Sequence, residues 1–93
     1  MITWDEFKRR RVIKKHGVDL AKVGDVFSDP FAIDFEDFDH SSTEHRRIII
    51  GKCGSYGLVF VSYVVRGEEI HCITARRAEP WMTRMYEKQR KRP

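Results

Sequence analysis

The stretch Leu58 to Val65, Leu-Val-Phe-Val-Ser-Tyr-Val-Val, is apolar at both sets of alternating positions. A β-strand turns successive side chains to opposite faces, so a strand of this composition needs cover on both sides and belongs at the centre of a sheet. Its flanks form turns. Gly54-Ser55-Tyr56-Gly57 precedes it, and Arg66-Gly67-Glu68 follows it with the shortness of a hairpin. Arg46 to Cys53, with its Ile48-Ile49-Ile50 run, and Ile70 to Arg77 are therefore predicted as its antiparallel neighbours in a meander. Upstream, Phe31, Ile33 and Phe35 alternate with Asp34 and Glu36, which predicts a fourth, half-wet strand.

The rest of the chain reads as helices and loops. Asp5 caps a helix that runs to about Lys15, with Glu6 near its positive end and Lys14, Lys15 and His16 near its negative end. Gly17 supplies the left-handed residue that stops it. Asp19 caps a second, short helix on which Leu20, Val23 and Phe27 share a face, and Ser28-Asp29-Pro30 ends it. Asp37 to Glu44 is a polar loop. Pro80 suits the first turn of a last helix, whose Trp81, Met82, Met85 and Tyr86 form a stripe of the kind that packs on a core. The expected order is α-α-β-β-β-β-α. It describes an α+β domain with one antiparallel sheet of about four strands, two N-terminal helices and one C-terminal helix. Residues 1–93 fill a single domain, with the last four or five residues frayed.

A hydrophobic content of 41 % and a charged content of 34 % belong to a globular protein with a charged surface. The net charge of +4 favours a polyanionic partner, and its distribution says more than its size. Lys8, Arg9, Arg10, Arg11, Lys14 and Lys15 crowd one end, and Lys88, Arg90, Lys91 and Arg92 the other. From residue 23 to residue 45 there is no Lys or Arg, while Asp25, Asp29, Asp34, Glu36, Asp37, Asp39 and Glu44 all fall there. The pattern fits RNA on one side and a basic partner on the other, or simply solvated charge runs. Cys53 and Cys72 have no CxxC spacing and read as reduced thiols of a cytoplasmic protein. The chain opens on charge, and no apolar run approaches the ~18 residues that span a bilayer, so neither export nor a membrane is expected. His40, His45, Asp37 and Asp39 lack a metal-ligand spacing, and no metal or other cofactor is expected. Phosphate-loop, dinucleotide and nucleophile-elbow patterns are absent.

The run Ile70 to Ala78 ends in adjacent arginines, Arg76 and Arg77, at the point where a strand gives way to a helix. Guanidinium groups there call for an anion. Alternation sends the two to opposite faces, so that one binds substrate while the other pairs with an acid, unless a bulge intervenes. The plain alternative is that both pair with surface carboxylates. Lys14 and Lys15 with Trp4 offer a phosphate and stacking platform for RNA, the alternative being a solvated helix with Trp4 packed inward.

Ile70-x-x-Ile73-Thr74-Ala75-Arg76-Arg77-Ala78 occurs in order and spacing with Trp4-Asp5, Lys15-His16-Gly17-Val18, Phe27-x-Asp29-Pro30, Asp39-His40-Ser41, Glu44-x-Arg46 and Tyr86-Glu87. Together these resemble the BrnT toxins of bacterial type II toxin–antitoxin pairs, over roughly residues 2 to 88. The resemblance implies a RelE-like fold and a metal-independent endoribonuclease that cleaves RNA by 2′-hydroxyl attack and inhibits growth. It implies an antitoxin of the BrnA kind, with promoter DNA bound only through the complex. Arg76, Arg77 and Arg46 would then surround the scissile phosphate, because cleavage passes through a phosphorane whose added charge guanidinium donors stabilise. Proton transfer has the candidates His40, Glu44, His16, Glu36, His71 and Tyr63, of which His40 and Glu44 match family positions. His71, inside a strand, reads as structural. RNA-binding falls to Trp4, Lys14, Lys15 and His16. Relatives carry a strongly charged last helix, whereas Glu79-Pro80-Trp81-Met82 stands here and offers an apolar docking patch. A non-catalytic nucleic-acid-binding module and a degenerate toxin kept as an interaction partner are the rival readings.

Overall fold

The computed structural model describes residues 1–40 and 42–91. The meander forms as the alternation requires, with β3 (Arg47–Cys53), β4 (Gly57–Arg66) and β5 (Glu69–Arg77) paired antiparallel in turn. β2 (Ile33–Glu36) joins the outer edge of β3, with Ile33 opposite Ile50 and Glu36 opposite Arg47. The sheet has a fifth strand that the sequence reading lacked. β1 (Ile2–Trp4) lies parallel to β5, with Thr3 opposite His71, giving the order β1-β5-β4-β3-β2 and a mixed sheet instead of an antiparallel one. Ile-Thr-Trp is β-prone, but three residues are too few for a periodicity to declare itself.

Helix α1 (Glu6–His16) has the caps its sequence announces. Asp5 accepts from the Lys8 N–H at 3.1 Å, and Gly17, at φ +68°, donates to the Ile13 carbonyl at 2.8 Å. The second helix expected at the N-terminus is instead two 3₁₀ turns, Leu20–Lys22 and Gly24–Ser28. The buried residues explain this. Leu20, Val23 and Val26 are fully buried at a spacing of three, the 3₁₀ period, where an α-helix would have buried Leu20, Val23 and Phe27. Gly24 has a second reason to be small, since a Cβ there would lie 2.8 Å from the Ile2 Cδ1 of β1.

The sheet is covered on both faces. On one, α1 and the 3₁₀ turns press Val12, Leu20, Val23 and Val26 onto Val59, Val61, Tyr63, Cys72 and Ala75. On the other, α2 (Pro80–Arg90) brings Met82 against Ile48 and Ile50, with Phe35, Leu58 and Phe60 around them. Helix α2 continues through Arg90; Arg92 and Pro93, in the end expected to fray, lie outside the described residues.

Asp29 ties these layers together. Its carboxylate accepts from the Tyr86 hydroxyl of α2 at 2.7 Å, from the Lys52 N–H of β3 at 2.8 Å and from the Phe31 N–H at 2.9 Å. Burial opposes ionisation, but the donors from Lys52, Tyr86 and Phe31 outweigh it and hold the carboxyl below its ordinary value. Replacing Asp29 with Ala is expected to cost about 2–4 kcal/mol in urea unfolding, from lost charged hydrogen bonds and stranded donors. Because the folded-state value is depressed, this stability is present above the unfolded carboxyl value of ~3.9 and is lost as pH falls through the folded one. The difference between wild type and Asp29→Asn in unfolding midpoint is therefore expected to narrow below about pH 4.

Candidate active site

A single extra residue in β5 decides which arginine faces which side. Cys72 and Ala75 are both fully buried in the same cluster although they are three positions apart, which strict alternation forbids. The register resolves it: Tyr63 is opposite Cys72 while Ser62 is opposite Thr74, so Ile73 is bulged out of the ladder. Beyond the bulge, Thr74 and Arg76 share the face of His71, and Arg77 takes the other. Arg76 lies over the Phe60 ring at 4.8 Å, with its Nη2 3.7 Å from Glu79. Arg77 lies over the Tyr56 ring at 5.4 Å on the opposite face. A Cβ at Gly17 would sit 3.8 Å from the Arg77 Nη1, so the Lys-His-Gly and Arg-Arg motifs meet at one corner of the fold.

On the His71 face, the part beyond α2 holds a cavity of about 240 Å³ whose charged and titratable walls are Lys8, His40, Glu44, Arg46, Arg66 and His71. A second hollow of about 200 Å³ is lined by Arg11, Lys15, His16 and Thr74. Lys8 and Ile73 belong to both, so the two adjoin across the bulge. His40, Glu44 and Arg46, singled out from the sequence, thus converge in one cavity, and Lys15 and His16 line its continuation.

His40 sits on the short 3₁₀ turn Phe38–His40 with its Nδ1 3.0 and 3.1 Å from the two carboxylate oxygens of Asp37. The Asp37 N–H donates to the Arg46 carbonyl at 2.8 Å, which fixes this turn to the start of β3. A carboxylate on Nδ1 selects the tautomer whose Nε2 accepts a proton. Ser41, of the Asp-His-Ser motif, lies outside the described residues. Glu44 is gripped by Arg66 through two bonds of 2.8 and 2.7 Å. That fork, with further help from His71 and Arg46, holds its carboxyl below the ordinary range and makes it a poor proton acceptor. His71, across from Thr3, has its Nδ1 2.9 Å from the Thr3 hydroxyl.

The other residues of the expected RNA platform separate. Trp4 packs against the core beneath α1, its indole N–H 3.4 Å from Glu6, and so is no open stacking surface. Lys14 is exposed and lines neither hollow. His16 is half-buried; burial, then Lys15 and Arg76, lower its proton affinity below the ordinary imidazole value. Asp37, Arg66, Lys8 and Thr3 were missed as site residues. The signal for Asp37 was its spacing of three from His40, which brings both to one side of a single 3₁₀ turn. Arg66 and Thr3 carried none, since only the sheet register brings them here. Among the described residues, no three His, Cys, Asp or Glu side chains converge as a metal site would require.

A five-stranded mixed sheet flanked by an N-terminal helix and a C-terminal helix is similar to the fold of a known class. The family model described as "Ribonuclease toxin, BrnT, of type II toxin-antitoxin system" matches residues 4–80, and the chain belongs to that family. Among solved structures it is similar to the Brucella abortus ribonuclease toxin BrnT, at 30 % identity and a TM-score of 0.68, over 84 % of this chain and 95 % of that one. No curated protein matches this chain.

The cationic surroundings of His16 have a direct readout. In a proton NMR titration its ring is expected to titrate below the ordinary 6.5, and Lys15→Gln to move the midpoint up towards that value. Being lowered in the fold, it is neutral at pH 7 and gains charge only as pH falls through the depressed value.

Proposed function

We propose that this chain is a metal-independent endoribonuclease toxin that cleaves RNA by attack of the 2′-hydroxyl on the adjacent phosphate. The observation that carries the reading is the convergence, in one hollow, of a carboxylate-backed imidazole with cations on the walls around it. His40 accepts the 2′-hydroxyl proton through Nε2, with Asp37 holding the ring and stabilising the imidazolium that forms. Arg46 and Lys8 hold the phosphate and stabilise the phosphorane; Arg66, oriented by Glu44, adds a fixed guanidinium. Glu44 is therefore a positioning residue rather than the base. With cationic charge and a proton acceptor both supplied by side chains, the reaction has no step that calls for a metal.

The strand of RNA follows the hollow across Ile73, past the neutral His16, to Arg11, Lys15 and Arg76, whose charges face its next phosphates. Arg77, on the far side of the sheet, braces Tyr56 and the end of α1. Phe38 is 80 % exposed and next but one to His40, and it is the aromatic that takes the stacking role first assigned to Trp4. A cognate antitoxin of the BrnA kind covers this face and supplies the contact to promoter DNA. The cytoplasm is the compartment this reading implies; among the described residues no helix is long and apolar enough to cross a membrane, and Cys53 and Cys72 are free thiols.

The test is incubation of the purified protein with a defined RNA in EDTA. Fragments ending in 2′,3′-cyclic phosphate are expected, with losses of ~10²–10⁴ for His40→Gln and ~10²–10³ for Arg46→Ala. Arg76→Ala is expected to lose more activity than Arg77→Ala, because only the first shares the face of the hollow. RNA that binds with a steep salt dependence yet stays intact would replace the enzyme with a binding module.

A further inference from the structure

We infer that His71 is the general acid of the cleavage reaction, protonating the departing 5′-oxygen, and that Thr3 of β1 holds its ring in place. The inference deepens the ribonuclease reading and rests on it. A base alone leaves half the proton transfer undone: as the 2′-oxygen–phosphorus bond forms and the phosphorus–5′-oxygen bond breaks, the leaving alkoxide must take a proton. His40 Nε2 accepts one proton from the 2′-hydroxyl, and His71 Nε2 donates one to the 5′-oxygen. Atoms and charge balance without a further reactant, and the products are a 2′,3′-cyclic phosphate and a 5′-hydroxyl.

Four observations support His71 for the second task. It lines the same hollow as His40, on the face where Arg46 and Arg66 also lie. It is half-buried, sheltered from bulk water but open to the hollow. Its Nδ1 is engaged by the Thr3 hydroxyl at 2.9 Å, which leaves Nε2 as the ring atom that exchanges protons with a ligand. Finally, the two histidines have partners of unlike chemistry. The Asp37 carboxylate at His40 stabilises the charge that a base acquires, whereas the neutral Thr3 hydroxyl orients the His71 ring, and the carboxylate within electrostatic reach of that ring, Glu44, is held by the Arg66 fork instead of by the ring itself.

The structural role first read for this strand histidine does not explain Thr3. Ile2 and Trp4 of β1 pack against the core, which accounts for those two residues, but the residue between them sits opposite His71 and binds its ring. The bulge at Ile73 contributes as well, by turning Thr74 and Arg76 to the same face of the sheet as His71.

A leaving group that needs no proton separates this role from all others. The experiment compares two RNAs of one sequence, one natural and one with the 5′-oxygen of the cleaved linkage replaced by sulfur, whose thiolate departs unprotonated. For His71→Gln, cleavage of the natural RNA is expected to fall by ~10²–10⁴ while cleavage of the sulfur-bridged RNA falls less than ~10-fold. His40→Gln is expected to lose both. Thr3→Val keeps the imidazole but frees it, and a loss confined to the natural RNA is expected there too. Equal losses on both substrates in His71→Gln and Thr3→Val, or full activity of His71→Gln on natural RNA, would overturn the assignment while leaving the ribonuclease reading intact. A wild-type protein that cuts neither substrate overturns both.

Discussion

The bulge at Ile73 is the constraint on which the rest of the molecule depends. A small domain has few core positions to spare, and β5 commits Cys72 and Ala75 to the same buried cluster. With ideal alternation one of them would face away and the core under α1 would lose a contact. The extra residue restores both, and the compensation appears on the other face, where His71, Thr74 and Arg76 now align. Packing on one side of the sheet thereby fixes the arrangement of functional groups on the other. Arg77, one residue further, is turned to Tyr56, whose hydroxyl accepts the Asp19 N–H at 3.0 Å. Alternation sends the two adjacent arginines to opposite faces, and the bulge at Ile73 decides which of them takes which.

The acidic segment has a purpose that its sequence did not suggest. Read as a charge run, residues 25–44 looked like a surface for a basic partner. In the fold most of these carboxylates are spent on internal bonds. Asp25 accepts from the Gly54 N–H at 2.8 Å, Asp29 collects three donors, and Asp34 pairs with Arg47 at 3.0 Å and with the Tyr63 hydroxyl. Burial first, and then Asp34, push the Tyr63 hydroxyl up to about 12, so it stays protonated and donates to the Asp34 carboxylate. Glu36 pairs with His45 in the same way. Outside this segment Asp19 takes a fork from Arg9, at 2.7 and 3.0 Å. The acids brace turns and strand ends, so the exposed charge that remains is weighted towards the cations of α1 and of the sheet face beside it, and such a surface attracts an anion.

How much could be read beforehand follows from the range of each signal. The caps of α1 and the meander of β3, β4 and β5 depend on neighbours within a few residues, and Asp5, Gly17 and the two turns declared them. Whether Leu20 to Ser28 coils as α or 3₁₀ turned on one position, Val26 against Phe27, and both are apolar. β1 and the bulge are long-range features, set by what the sheet needs once assembled, and no local pattern encodes either. The same division holds at the site. His40, Glu44 and Arg46 lie close in sequence and were found together; Lys8, Arg66 and His71 line the hollow from three other elements, with Thr3 of a fourth bound to the His71 ring, and only the assembled sheet joins them.

The three histidines at this face show how charge is balanced there. A phosphate site needs cations, yet cations make a nearby imidazole reluctant to take a proton. His16 bears the full effect: burial and its neighbours Lys15 and Arg76 all act in one direction, and no carboxylate opposes them. Each of the other two has an acid close by, Asp37 at His40 in direct contact and Glu44 within electrostatic reach of His71. Glu44 in turn is anchored by the Arg66 fork, so its charge is fixed in place. The carboxylates around the hollow thus act as local counter-charges to its cations, Asp37 at the His40 ring and Glu44 in the Arg66 fork.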